Sequence, residues 1–238
     1  MNKFWDDELP ASYYDDNLIS GLNKNRGIQA NWHNITFQKV KSLMPQAGKH
    51  LDYACGPGSF IGNYLNLDSV GVDISTNQIN VANSKYSKKG KFLVGVDFDF
   101  NDYQNYFDVV TVIGLLEYLD DKETKKLINN LSSTLKDNGK IIFTTPNYGG
   151  LMKYLEKIMH FLGPVDYSSQ NISNYNQRKL QQLFLEYSDR RVEINRFLNL
   201  GVTFSVINLV LASKLVMLID KFSFNKKGFL FVVEVYKR

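Results

Sequence analysis

The chain has 238 residues, 44% hydrophobic and 22% charged, with a formal charge of +4. That balance describes one sizeable folded domain, or one with appendages, and excludes wholesale disorder. The charge is only mildly basic and no long Lys/Arg run occurs, so no nucleic-acid partner is expected. The single cysteine, Cys55, rules out an internal disulfide and suits a reducing compartment. The opening "MNKFWDDELP" is acidic and lacks an apolar core, so it reads as no signal peptide, and a cytoplasmic location is expected. No repeat and no zinc-type Cys/His spacing occurs, so no metal is expected.

Residues 1–24 read as an irregular arm carrying Phe4, Trp5, Tyr13 and Tyr14. A helical period follows through Ile28, Trp32, Ile35, Val40 and Leu43, and Pro45 stops it, so 1–45 make an arm and cap helix ahead of a domain over 46–238. Strands are expected at 50–55, 69–74, 91–96, 107–114 and 140–146, with helices between them. Ser75 and Gln78 carry a capping-box pattern, and Leu127, Leu131 and Leu135 share one stripe of a helix over 121–136. Five alternations of strand and helix predict a parallel sheet covered on both faces. Beyond Pro146 the pattern loosens. Helices are expected at 150–162 and after Asn174, strands at 191–197 and 228–236, and an apolar helix at about 203–220 between those last two strands. The expected fold is α/β: a seven-stranded, mostly parallel Rossmann-like sheet with an N-terminal helical cap and that inserted helix.

The first strand runs into "ACGPG" with almost no room to turn. Two glycines, Gly56 and Gly58, let backbone pass close under a ligand, and the helix beyond offers free N–H groups. Asp73 ends the second strand, where a carboxylate can accept from both hydroxyls of a ribose. Asp97 ends the third, with Phe98 beside it to stack on a purine. Turn, ribose acceptor and adenine acceptor on three successive strand ends imply an adenosine cofactor.

In these segments the chain resembles the class I S-adenosylmethionine-dependent methyltransferases, nearest their type 11/12-like small-molecule members. "DYACGPG" (52–58) is similar to the family's glycine motif, with Ala54 in place of the first glycine. "GVDIS" (71–75), "VDF" (96–98), "FDVVTVIGLLEYL" (107–119) and "LKDNGKIIFTTPN" (135–147) follow in the family's order and spacing. The resemblance implies S-adenosylmethionine as cofactor. It implies a site built from Asp52, Ala54, Cys55, Gly56 and Gly58 on the first strand end and Asp73 and Ile74 on the second. Asp97 and Phe98 would join from the third, and Ile113 and Leu115 from the fourth. It also makes 148–227 a variable, substrate-facing part.

A rival reading is a nicotinamide oxidoreductase, but Ile61 stands where a dinucleotide motif needs its third glycine. The Tyr118/Lys122 spacing follows the fourth strand rather than the fifth, which makes it a coincidence. A second rival is a domain that binds cofactor without turnover. The expected reaction is methyl transfer to a small-molecule, glycan or lipid-linked acceptor, with oxygen the favoured nucleophile. Tyr118 stands where related enzymes often place a histidine. It joins His33 and His160 as a candidate for the catalytic step, while His50 reads as structural. Tyr14, Trp32 and His33 are expected to close over the methionine end of the cofactor. The helix over 203–220 admits three roles: packing on the domain or in a homodimer, lying on an anionic membrane with Lys214, Lys221, Lys226 and Lys227 at hand, or spanning the membrane. The second would add peripheral contact at the inner face of the membrane.

Overall fold

The computed structural model describes residues 4–150, 152, 171–187, 190–223 and 228–237. Its strands are β1 (Lys49–Tyr53), β2 (Asp68–Asp73), β3 (Lys91–Val94), β4 (Phe107–Ile113), β5 (Leu135–Pro146), β6 (Val192–Phe197) and β7 (Leu230–Tyr236). They form one sheet in the order β3-β2-β1-β4-β5-β7-β6. Pairing from β3 through β5 is parallel, whereas β7 runs antiparallel to both β5 and β6. Six strands therefore point the same way, and their carboxyl ends share one edge. An antiparallel strand set between the fifth and sixth departs from the 3-2-1-4-5-6 order of dinucleotide folds.

The helices are α1 (Tyr13–Lys24), α2 (Ile28–Leu43), α3 (Ser59–Tyr64), α4 (Thr76–Tyr86), α5 (Asp121–Thr134), α6 (Gln177–Leu185) and α7 (Leu209–Phe222). The run "FDVVTVI" of β4 is apolar almost throughout because both its faces are covered. Val110 and Val112 pack with Leu127, Ile128 and Leu131 of α5 and Leu180 and Leu183 of α6. Val109 faces the other way, into a core with Phe37 of α2, Phe60 of α3, Ile79 of α4 and Val216 of α7. An Asp120/Glu123 capping box fixes the start of α5, with bonds of 2.7 and 2.9 Å.

Four expectations change. The N-terminal arm is ordered, as a π-helical turn (Phe4–Glu8) followed by α1. The inserted apolar helix is two elements, a 3₁₀ segment (Leu200–Val206) and α7, because Asn208 caps a fresh start by accepting from the Leu211 N–H at 2.9 Å. The helix expected after Asn174 is α6, capped instead by Asn176, which accepts from the Lys179 N–H at 2.9 Å. The third strand stops at Val94, and Gly95–Asp97 wind into a 3₁₀ turn. The helix expected at 150–162 lies, apart from Met152, outside the described residues. Among the described residues no helix is long and apolar enough to cross a membrane.

Candidate active site

Register brings the strand ends together. Asp52 lies opposite Thr111 of β4, and Tyr53 opposite Val72 of β2. The turn after β1 therefore sits between Asp73 on one side and Ile113 to Leu115 on the other. That turn is left-handed at Ala54 (φ 66°), Gly56 (φ 54°) and Gly58 (φ 78°). The backbone N–H groups of Ala54 and Cys55 both donate to the Val72 carbonyl, at 2.7 and 3.0 Å, which ties the turn to β2.

The two glycines do different work. A Cβ on Gly58 would come within 2.8 Å of the Phe92 ring and 3.0 Å of Ala82, so Gly58 is bare because α3 must close on the sheet. A Cβ on Gly56 would meet only the Gln78 Oε1, at 3.0 Å, and otherwise open space. That Gln78 oxygen is buried and has no hydrogen-bond partner among the described residues. Beside it, Asp73 accepts from the Gly56 N–H at 2.8 Å and the Ser75 N–H at 2.9 Å, one on each carboxylate oxygen. Burial pushes its pKa above the usual carboxylate range, against the pull of those two N–H groups. Each carboxylate oxygen keeps a further lone pair, so Asp73 and Gln78 offer acceptors to a ligand rich in donors.

Asp52 lies one layer deeper. It is buried, and the Thr111 hydroxyl donates to it at 2.6 Å. Burial pushes its pKa up to about 7, with the Asp73 charge adding to the rise and the Thr111 bond opposing it. The Thr111 oxygen is also 2.8 Å from His50 Nε2, and His50 Nδ1 is 3.1 Å from the Ser69 hydroxyl. Burial holds His50 down to about 3, so it is a neutral imidazole set between Ser69 and Thr111.

This sheet order and bare turn coincide with a sequence-family match: residues 29–187 fit the profile described as a methyltransferase domain. The chain belongs to that methyltransferase domain family. No functionally curated protein matches the sequence. The fold is shared with a SAM-dependent methyltransferase from Archaeoglobus fulgidus, at 20% identity and TM-score 0.57, over 86% of this chain and 94% of the other. A magnesium protoporphyrin IX methyltransferase from Synechocystis with bound SAH matches at 14% identity and TM-score 0.57, over 96% of this chain and 98% of its own. A phosphoethanolamine N-methyltransferase from Haemonchus contortus in complex with S-adenosyl-L-methionine matches at 18% identity and TM-score 0.55, over 86% of this chain and 52% of its own.

Within the methyltransferase domain the other expected residues fall into two groups. Ile74 is 45% exposed at the end of β2, and Val96, the first residue of the "VDF" segment, is 89% exposed beyond β3. Ile113 and Leu115 flank Gly114, whose φ of 68° turns the chain at the end of β4. Phe98 corrects an expectation: its ring is buried, stacked on Tyr103 at 4.9 Å and edge-on to Phe100, so it belongs to the core and not to a stacking platform. Asp97 is exposed on the 3₁₀ turn rather than at the strand end. The Cys55 side chain is buried under β2, and burial pushes its thiol well above the usual range.

The N-terminal arm reaches these strand ends by residues the sequence reading gave no role. Asp6 accepts from the Ser75 hydroxyl at 2.7 Å, and its carbonyl accepts from the Asn77 amide at 2.9 Å, so it sits on the start of α4. Trp5 packs edge-on against Tyr118 at 5.1 Å. Behind it, buried Asp15 accepts from Ser59 (2.7 Å), Tyr86 (2.8 Å) and Lys85 (2.9 Å) and clamps α1 onto α3 and α4. Trp32 of the expected aromatic cover is half-buried, stacked on Phe229 beside the end of β7 and packed against the core. His33 is half-buried between Tyr14 (5.5 Å) and Phe37 (5.9 Å), and desolvation holds its pKa down to about 4. His160 lies outside the described residues. Glu117 was also missed. It is buried beside Tyr118 and accepts from the Thr145 hydroxyl at 3.2 Å, and a lone charge inside the apolar run "IGLLEYL" was its signal. Among the described residues no cluster of His, Cys, Asp or Glu is placed to hold a metal ion.

Proposed function

We propose that this methyltransferase domain uses S-adenosylmethionine to methylate a hydroxyl oxygen on a small-molecule, glycan or lipid-linked acceptor. The observation that carries the cofactor assignment is Asp73. It is a buried carboxylate at a strand end, held by two backbone N–H groups beside the open Gly56 turn and the unpartnered Gln78 oxygen. A ribose presents two hydroxyl donors to such a pair of acceptors, and exposed Ile74 and Val96 offer apolar surface to an adenine. The cofactor supplies an electrophilic methyl on a sulfonium, and the chain's own task is alignment.

A hydroxyl loses its proton as it is alkylated, so oxygen as the nucleophile calls for a nearby proton acceptor. His33 on α2, packed between Tyr14 and Phe37, is the imidazole we assign to that task, and the desolvation that holds its pKa down to about 4 keeps it neutral but weakens it as a base. Calorimetry with S-adenosylhomocysteine tests the assignment. The wild type binds, and Asp73→Ala weakens binding by about 1–3 kcal/mol, the cost of leaving hydroxyls unpaired. No binding by the wild type, or equal affinity in the variant, removes the cofactor assignment. A domain that binds but shows no methyl transfer to any hydroxylated acceptor in labelled extracts would favour a non-catalytic binding role.

A further inference from the structure

Most of the exposed large apolar side chains among the described residues lie in one stretch, the 3₁₀ segment and α7. This stretch is firmly docked. Leu209, Ala212 and Val216 of α7 are buried, Asn31 of α2 donates to the Ser205 hydroxyl at 2.7 Å, and Ser213 donates back to Asn31 at 2.8 Å. The polar seam is therefore on the inside and the apolar face is outside. Rows two helical turns apart cover that outer face: Val210 with Met217, Leu211 with Leu218, and between them Lys214 with Lys221. Leu211 and Met217 are 64% and 65% exposed, and Ile207 just before the helix is 79% exposed.

We propose that this face docks on the surface of an anionic lipid bilayer. The argument is charge. The one carboxylate between Phe197 and Ser223 is Asp220, and it is turned inward, accepting from Asn199 at 2.7 Å and from the Leu198 N–H at 3.2 Å. The outer face thus carries lysines and apolar groups with no acid. A second copy packed on it about a two-fold axis would set Lys214 and Lys221 against the same lysines, with no carboxylate to pair them. Lipid tails accept the leucines, and long lysine stems let the ammonium groups reach anionic headgroups. At the start of α7, the Leu209 N–H donates to the Asn25 carbonyl at 2.9 Å, and exposed Lys24 and Arg26 flank that residue, extending the basic rim. Exposed apolar surface on this scale is rare on proteins that remain free in water.

The insertion also springs from the site's own edge of the sheet. It leaves β6 at Phe197 and returns to β7 at Leu230, paired residues level with Pro146 at the end of β5. Docking would bring the strand ends to the membrane, though the proposal does not depend on any reaction there.

Flotation of the full-length protein with phosphatidylcholine vesicles, with and without phosphatidylglycerol, tests it. Co-flotation is expected with the anionic vesicles only, and is expected to fall as salt screens the attraction. Lys214→Ala with Lys221→Ala should weaken partitioning roughly thirtyfold, about fivefold per lysine. Leu211→Ser with Leu218→Ser should abolish it, and since both side chains already face solvent, an unchanged circular dichroism spectrum is expected. Absence of wild-type co-flotation, or co-flotation that ignores both variants, overturns the proposal. A lipid-indifferent dimer that the leucine variant dissociates also overturns it, in favour of a second copy.

Discussion

Asp52→Asn isolates the buried carboxylate under the candidate site. An unfolded aspartate titrates near 3.9, whereas burial holds Asp52 at about 7 in the folded chain. The folded state therefore binds the proton more tightly. Its contribution to stability is present in full below about pH 4 and is lost as pH rises to about 7. Three units at about 1.4 kcal/mol each make roughly 4 kcal/mol, a large share of the 5–15 kcal/mol typical of a domain. The raw pH profile hides this, because His50 and His33 work in the opposite sense. Their folded pKa values, about 3 and about 4, lie below the ordinary 6.5, so they cost stability as pH falls through the range where Asp52 regains it. Subtraction removes them. Asparagine still accepts from Thr111, carries no charge, and leaves the His50 link intact. Urea unfolding without cofactor should then show the variant gaining on the wild type by about 3 kcal/mol between about pH 5 and about pH 8. A variant-minus-wild-type difference that stays flat over that range would refute the claim that Asp52 is a desolvated, high-pKa carboxylate.

Other substitutions probe the surrounding parts. Gly58→Ala should destabilise the fold outright by crowding Phe92 at a left-handed position, whereas Gly56→Ala should cost only about 1–2 kcal/mol of backbone strain and express itself in S-adenosylhomocysteine affinity; thermal unfolding and calorimetry on the pair separate the roles. Asp15→Ala leaves Ser59, Tyr86 and the third-exposed Lys85 without their common acceptor, and should cost about 2–3 kcal/mol in urea unfolding. Asp6→Ala removes the carboxylate's bonds to Ser75 and Asn77 at the start of α4 while leaving the backbone ones, and should raise the rate of S-adenosylhomocysteine release with little change in melting temperature, as read by stopped-flow tryptophan fluorescence in a Trp32→Phe background.

Which parts were readable follows from which signals are local. The strand β4 announces itself because burial on both faces demands a nearly continuous apolar run, and Ser75 announces α4 because its hydroxyl accepts from the Gln78 N–H three residues on. Gly56 and Gly58 look alike in sequence, yet one is bare toward open space and the other toward Phe92, a contact made from another strand. Phe98 sits two residues from exposed Val96, and only the 3₁₀ turn over Gly95–Asp97 decides which of the two faces out. The N-terminal arm was opaque for the same reason. Its helix α1 is held by Asp15, a charge that a sequence reading assigns to the surface, and the three groups that satisfy it come from α3 and α4.

The arm and the insertion together give the site its surroundings. Asp6 and Trp5 meet the ends of β2 and β4 from one side, and α7 is joined to the cap helix α2 through Asn31, Ser205 and Ser213. Helix α2 thus packs against both α1, which continues the arm, and the segment that presents the apolar face. His33 lies on that same helix two residues from Asn31, packed against Tyr14 of the arm. A shift of α7 on binding a surface would act on α2 through the hydrogen bonds of the Asn31 side chain to Ser205, Ser213 and the Leu209 carbonyl, in a seam where losing a partner costs more than in water. Breaking that seam with Asn31→Ala should therefore do two things at once: lower stability by about 1–3 kcal/mol, and separate any effect of vesicles on S-adenosylhomocysteine affinity from vesicle binding itself. If vesicles change that affinity equally in wild type and Asn31→Ala, α2 is not the connection between the two.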